Sequence, residues 1–317
     1  MRYYEITLTP KGSTTPFRTW TSHPNGIFDP GALNIMFDMP ILPYGTPSGG
    51  QSITVEGISL QDLSQSQQFA EMTLTLKAGM KAPGLPLINP TQAGTVLSGL
   101  VFQSFGNWEG TEMTVDFVML PSIYTNDNPG NFMLIWPKGE RLSDAILHCL
   151  QVPYPDKTIK VNISPDYVNS YDIFHQAGTL EDLSMFIGDF TDKTFKDRVE
   201  ISILGDNVSV IDSTFKPSPI QLNFLDFVGQ PTWIEPNVIQ IKTVLRADVS
   251  IGSIVRMPEG LQNAPGVITA TGASLPSSIK YKSTFQNTFT VIEVRQIGNF
   301  RSPDASNWCT VLNCVTN

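Results

Sequence analysis

Histidines, cysteines and paired carboxylates are the side chains with which this sequence could do chemistry, and their spacing decides what each could do. The three histidines, His23, His148 and His175, lie far apart in the 317-residue chain, although His is the side chain that titrates near neutral pH. None has a second His or a Cys at metal-ligand spacing except His148 beside Cys149, and adjacent residues of a helix point away from each other. Surface or helix-packing roles are expected for all three. Glycoside hydrolysis would require two carboxylates about 5 to 10 Å apart. Glu109 with Glu112, Glu181 with Asp182, and Asp189 with Asp192 are the available pairs. The first belongs to a turn or strand edge and the second to a helix start, where acids are expected without catalysis.

Other signals of chemistry are equally sparse. Cys149, Cys309 and Cys314 are odd in number and few for this length, so no disulfide framework is expected. Cys309 and Cys314 flank an alternating segment and fall on opposite faces of a strand, a poor geometry for bridging. Buried free thiols are the expectation. Gly45, Gly49 and Gly50 sit in a Pro/Ser loop with no helix after it and no Gly-Lys-Ser/Thr, so no phosphate-binding loop is read. Asn162-Ile163-Ser164 runs into Pro165 and is an incidental match to a glycosylation acceptor. Lys193, Lys196 and Arg198 read as a solvated edge. The reading is therefore a protein without catalytic residues, cofactor or metal, and not an enzyme.

The elements that must position these residues are mostly strands. Only 15% of residues are charged, while Gly and Pro number 24 each; roughly 25% charged is usual for soluble domains, so turns and extended segments are expected over long helices. The net charge of −9 and pI of about 4.8 argue against a general phosphate-binding surface and leave room only for a localised basic patch. Residues 1–10 alternate like a strand and carry no signal-peptide pattern. Apolar runs such as 132–136 fall far short of the ~20 residues that span a bilayer. A soluble protein made in the cytoplasm, with no stable membrane association, is expected.

To about Leu120 the alternation predicts strands at 3–8, 33–37, 52–55, 72–77, 99–104 and 111–117, with turn clusters at 46–50 and 81–84 and a short helix after Ser59. Residues 126–131, Asn-Asp-Asn-Pro-Gly-Asn, suit a domain boundary. Helices are predicted over 141–150 and from Thr179 through Ile187, with a strand at 157–163 between them. Strands then return at 200–204, 208–211, 220–225, 238–245, 254–257, 288–296 and 309–315, and 259–278 reads as a long loop. The expected fold is mainly β with an α+β insert: a first β-barrel domain at 1–125, the insert at 126–200 and a second β-barrel domain at 201–317. Gly229 and Gly252 are expected to supply turn geometry. Trp108 and Trp308 are candidate interface or corner residues: a large aromatic can anchor a subunit contact or fix a loop-to-strand corner.

Several strings resemble a known family in their shared order. Phe102-Gln103-Ser104-Phe105-Gly106-Asn107-Trp108-Glu109-Gly110-Thr111-Glu112 and Leu76-Lys77-Ala78-Gly79-Met80 are similar to the N-terminal barrel of baseplate hub proteins from contractile-tailed phages. In the last third, Phe227 to Thr232, Val238 to Leu245 and Val249 to Val255 resemble the late control D family and the hub portion of VgrG-type spikes, and Phe289 to Asn299 followed by Asn307 to Leu312 resembles their closing hairpin. The middle, around 139–143 and 179–183, is only generally similar. The resemblance implies two tail-tube-like barrels per subunit in a homotrimer, a virion ring that joins a six-fold tail tube to a trimeric central spike. The implied partners are the spike, the tail tube protein, and baseplate wedge and tape measure proteins, with DNA only in passage through the lumen. A tail tube or tube-initiator subunit, and a tail-tip peptidoglycan hydrolase or glycan-binding protein, stay open as alternatives.

Overall fold

A computed structural model describes residues 1–41, 51–81, 92–120, 122, 124, 128–204, 207–258 and 288–316. The loops expected at 46–50, 82–84 and 259–278, the glycines at 45, 49 and 50, and positions 126 and 127 of the expected boundary at 126–131 lie outside the described residues. The first β-rich segment contains β1 (Arg2–Thr9), β2 (Arg18–Thr21), β3 (Asn34–Ile41), β4 (Gln51–Glu56), the one-turn helix α1 (Leu60–Ser64), β5 (Thr73–Met80), β6 (Gly94–Glu109) and β7 (Glu112–Leu120). Alternation drives these strands: in β1, Tyr4, Ile6 and Leu8 are buried while Glu5 and Thr7 are half-exposed, the period of two that puts successive side chains on opposite faces. Ser59 caps α1, its hydroxyl accepting from the Asp62 N–H, as expected of an N-cap serine.

The middle of the chain contributes β8 (Phe132–Trp136), α2 (Leu142–Gln151), β9 (Thr158–Asn162), β10 (Ile173–Ala177), α3 (Leu180–Phe195), β11 (Glu200–Leu204) and β12 (Asn207–Ile211). In α2, Leu142, Ala145, Ile146, Cys149 and Leu150 are buried together, the stripe an amphipathic helix turns to a core. The Thr179 hydroxyl accepts from the Asp182 N–H, and Glu181 and Asp182 stand in the first turn of α3. That helix runs two turns beyond Ile187 and stops at Lys196, whose left-handed backbone (φ 61°) breaks it.

The remaining strands are β13 (Ile220–Gln221), β14 (Thr232–Glu235), β15 (Val238–Val244), β16 (Ile254–Arg256), β17 (Thr288–Asn299) and β18 (Trp308–Thr316). The strand expected at 220–225 shrinks to two residues because Phe224–Asp226 turns into a 3-10 helix, closed by reciprocal bonds between Asn223 and Asp226.

Sheet topology differs from the expectation in an informative way. Among the described residues, the two β-rich segments share one antiparallel-dominated sheet of 13 strands, with path β14-β15-β18-β17-β3-β4-β7-β6-β5-β1-β2 and β13 and β16 beside it. The join is β17: one edge pairs with β18, while the other pairs first with β16 and then, from Val294 to Asn299, with β3. No strand pairing closes a ring among the described residues. The first half nevertheless curls back on itself, because the Arg2 guanidinium at the start of β1 donates to the carbonyls of Asn299 (2.8 Å) and Phe300 (3.1 Å) at the end of β17.

Among the described residues, three cores lie in and beside this sheet. One is built from Tyr4, Ile6, Ile35, Phe69, Val101, Phe117 and their neighbours, and it takes Leu245 and Trp308 from the far end of the chain. The second belongs to the middle elements, with Phe132, Trp136, Ile146, Leu183 and Ile201 at its centre. The third gathers Ile239, Ile241, Val255, Phe289 and Leu312 with Ile41 and Ile211. The hairpin β11–β12, expected with the last β-rich segment, packs in the second core and extends a three-stranded sheet through the parallel pair β12–β9. Alternation alone specified two faces for that hairpin and not which neighbour would cover them.

Candidate functional site

The side chains with chemical potential are dispersed by this fold. His23 is buried between the rings of Tyr3 and Phe28 (5.5 Å each), and its Nδ1 lies 2.9 Å from Ser22 Oγ; burial holds its pKa below the ordinary value. His175 of β10 stacks on Phe186 at 3.7 Å and 3°, and His148 is exposed in the last turn of α2. Glu109 and Glu112 face each other directly across the β6–β7 hairpin. Asp189 is taken up by Arg198 at 2.9 Å. The three cysteines are free and buried, and burial pushes the Cys149 and Cys314 thiols up to about 12, far from the depressed values of reactive thiols. Among the described residues no group of three His, Cys, Asp or Glu side chains is arranged to hold a metal ion, and no helix is long and apolar enough to cross a membrane.

A cleft of about 790 Å³ opens between the middle elements and the last strands, with Asp197, Glu200 and Asp212 on one side and Ile251, Arg256 and Ile292 on the other. Its acids are mostly engaged. Asp197 accepts from the hydroxyls of Tyr167 and Ser213, both at 2.8 Å, and Asp212 accepts from the backbone N–H of Ser164 (2.5 Å) and Thr214 (2.9 Å). Glu200 is the acid whose pKa burial raises. A raised carboxyl in a cleft is a common mark of a general acid, but hydrolysis by paired carboxylates requires a second one to act as base or nucleophile, and Asp197 and Asp212 are held as acceptors. Gly252 forms one edge here: its φ of +78° and its approach to the Ile211 side chain leave no room for a Cβ. Gly229 also has a positive φ, +84°.

The two tryptophans separate cleanly. Trp308 at the start of β18 is 2% exposed; its indole N–H donates to the Gly79 carbonyl at 3.0 Å, its ring meets Phe37 and Phe300 edge-on, and Arg2 lies over it at 5.8 Å. It plugs the first core from the last strand of the chain. Trp108, near the end of the β6–β7 hairpin, is 61% exposed and donates only to the local Gly110 carbonyl at 2.9 Å. Phe102 and Phe105 on the same strand are exposed as well. β6 is covered by β5 over Gly94–Leu100 and runs past it, so these aromatics stand beyond the sheet that buries the first half of the strand.

One cluster invisible to sequence reading ties the β-rich segments together. Arg246, 1% exposed, donates through Nε and Nη2 to the two oxygens of Asp248, both at 2.7 Å, and its Nη1 lies 3.7 Å from Asp226. Asp226 also accepts from Gln92 Nε2 of the first segment at 2.9 Å. Gln296 of β17 donates to the Arg246 carbonyl (3.1 Å) and accepts from Thr310 of β18 (2.7 Å). Burying a guanidinium costs little only where opposite charge and hydrogen bonds compensate it; here the Asp248 carboxylate engages Nε and Nη2, and Nη1 is left with the ion-pair contact to Asp226 and no hydrogen bond. The local signal was an Arg-x-Asp step after a strand; Gln92, Asp226 and Gln296 are too remote in sequence for any spacing rule to bring in.

No family model and no curated relative matches the sequence. Solved structures do match in fold. The E. coli c3393 protein, described as a component of the type VI secretion system with structural similarity to T4 bacteriophage tail proteins gp27 and gp5, aligns over 98% of this chain and 76% of its own at 7% identity, TM-score 0.51. A 43 kDa tail protein of prophage MuSo2 from Shewanella oneidensis aligns over 98% and 96% at 10% identity, TM-score 0.50. A chain of the Francisella PdpA-VgrG complex aligns over the full length here and 58% of its own at 8% identity, TM-score 0.50. At such identities the likeness is one of fold: this mainly β chain has the architecture found in phage tail proteins and a VgrG-containing complex.

Proposed function

We propose that this chain is a structural tail protein, the baseplate hub of a contractile tail, and that it works as a homotrimeric ring between the six-fold tail tube and the trimeric central spike. The observation that carries the reading is a tail-protein fold spanning nearly the whole chain whose two β-rich parts each have a core of their own. Two tube-like domains per subunit turn three subunits into a pseudo-six-fold ring, the symmetry such an adaptor requires. In this reading the barrel domains correspond to 1–125 and to the last strands, and the α+β insert begins near 126 and extends past 200 to include β12, since the second core takes in Ile201, Val208 and Val210. The barrels complete their walls by abutting neighbouring copies, which covers edge strands that would otherwise invite aggregation.

The spike and the tail tube are the proposed direct partners, wedge and tape measure proteins the outer and inner neighbours, and DNA passes through without a stable complex. The proposed site of action is the tail baseplate of the virion. A net charge of −9 suits a lumen along which DNA slips without sticking; a strongly basic pore wall in the assembled ring would refute that part. No catalytic step is proposed, and clear hydrolysis of a cell-wall substrate would overturn the non-enzymatic reading. A tail tube subunit is the second reading, and the two β-rich cores in one chain favour the hub over it. The deciding experiment is a cryo-EM map of the tail tip. A three-fold ring of this chain between tube and spike is expected, and six copies stacked along the tube would sink the hub assignment.

A further inference from the structure

A knob and a hole of opposite charge lie on the surface of this chain, and both remain unfilled by its own side chains. The knob is the end of the β6–β7 hairpin. Trp108 stands exposed there, and Glu109 and Glu112 face each other directly across the strands, both exposed and neither in an ion pair among the described residues. Like charges directly opposite destabilise a hairpin, so this end carries an unfavourable pair that an external cation would relieve. The hole is a pocket of about 360 Å³ lined by Met1, Arg2, Phe28, Pro30, Phe300 and Arg301. Arg2 and Arg301 are held by backbone carbonyls, those of Asn299 and Phe300 for the first and of Pro30 and Ala32 for the second. Neither is in a carboxylate ion pair among the described residues; Asp304 offsets part of the Arg2 charge without such a contact, and Arg301 is positioned by the Pro30 and Ala32 carbonyls.

The hairpin of one chain cannot reach its own pocket. Phe300 and Arg301 follow β17 at the row where Asn34 of β3, Glu56 of β4, Thr114 of β7 and Asn107 of β6 lie side by side. Four strand steps of roughly 4.8 Å separate the two features, and the intervening pairing of β4 with β7 fixes the hairpin in place. We infer that the pocket receives the hairpin end of a second copy: Trp108 lies over the outer side of the Phe28 and Phe300 pair, whose rings meet each other at 6.5 Å, while Glu109 and Glu112 meet Arg2 and Arg301. An aromatic anchor in a pocket bordered by arginines is the composition of an interface hot spot, and opposite charges fix its register. The contact uses two different patches, so it is heterologous and generates a ring when the rotation closes. It rests on the proposal that copies of this chain assemble side by side.

Sedimentation velocity of the full chain over a concentration series tests the inference. Wild type is expected to self-associate, with Trp108→Ala weakening the dissociation constant roughly thirty-fold or more, as loss of a hot spot does. Glu109→Lys with Glu112→Lys is expected to weaken it too. Arg301→Glu alone is expected to weaken it and, combined with Glu112→Lys, to regain much of the affinity. Arg301 also supports the Pro30 and Ala32 carbonyls, so the hairpin variants, on exposed residues, carry the test if that variant misfolds. A wild type that stays monomeric throughout, or hairpin variants that associate as tightly as wild type, would overturn the docking. A tail-tip map with a three-fold ring whose contacts lie elsewhere would do the same while leaving the hub reading intact, whereas a map with no ring and intact Trp108-dependent association would remove the hub and spare the docking.

Discussion

The junction between the two β-rich segments and the end of the β6–β7 hairpin use the same materials, a tryptophan, arginines or acids and a long strand, in opposite ways. At the junction most groups are matched: the Trp308 indole N–H finds the Gly79 carbonyl, and the Arg246 guanidinium pairs with Asp248 through Nε and Nη2 at 2.7 Å, while its Nη1 has only the longer ion-pair contact to Asp226 at 3.7 Å. At the hairpin end Trp108 bonds only to its own turn, and Glu109 faces Glu112. Burial turns polar groups into obligations, because an unmatched donor or charge away from water costs several kcal/mol. Exposure leaves them free to be matched by something else. The contrast separates the part of the molecule that holds the fold from the part available to a partner.

The sharpest way to break this comparison is to truncate both tryptophans. Trp308→Ala is expected to cost about 3–5 kcal/mol of stability through the cavity in the first core, and Trp108→Ala within about 0.5 kcal/mol, as at an exposed site; urea unfolding of monomeric protein measures both. Equal costs would erase the distinction. Arg246→Ala leaves the buried Asp226 and the half-buried Asp248 without their cation and is expected to cost about 3–5 kcal/mol by the same measurement. A cost below about 1 kcal/mol would mean the network is solvated in practice.

A smaller effect is expected from pH. Burial raises the folded-state pKa of Cys314, on the same strand as Trp308, and of Cys149 in the second core to about 12, above the value of a free thiol. The folded state therefore holds these protons where the unfolded chain releases them. Stability should be fully present below the unfolded thiol pKa and should fall as pH rises from there towards 12. Neither thiol is expected to react with a thiol reagent near neutral pH in native buffer, and both should react in denaturant; fast native labelling would contradict their burial. The smallest effect has the opposite sign. Glu112→Gln removes the like-charge pair at the hairpin end and is expected to stabilise the monomer by roughly 0.2–1 kcal/mol, seen as a rise in Tm; a fall would mean that Glu112 is already neutralised within the chain.

Much of the fold was legible in local pattern. Alternation in residues such as Met113, Val115 and Phe117 marked β7, the Ser59 and Thr179 caps marked α1 and α3, and the stripe from Leu142 to Leu150 marked α2. What escaped was short or non-local. β2, β10 and β14, of four or five residues, were missed, and β6 runs five residues further than its expected strand because pairing with β7 sustains it where burial does not.

Local pattern was enough to specify that the chain is β-rich and that its few, scattered thiols stay free, because composition, period and adjacency are local properties. Tertiary structure alone decided that the two β-rich segments share a sheet through β17, that the 200–211 hairpin sides with the middle elements, that Arg246 finds Gln92-held Asp226, and that of two similar tryptophans one is a plug and the other a knob. Each of these depends on which distant surface covers a given face, and a strand's own residues specify that it has a face to cover without specifying what covers it.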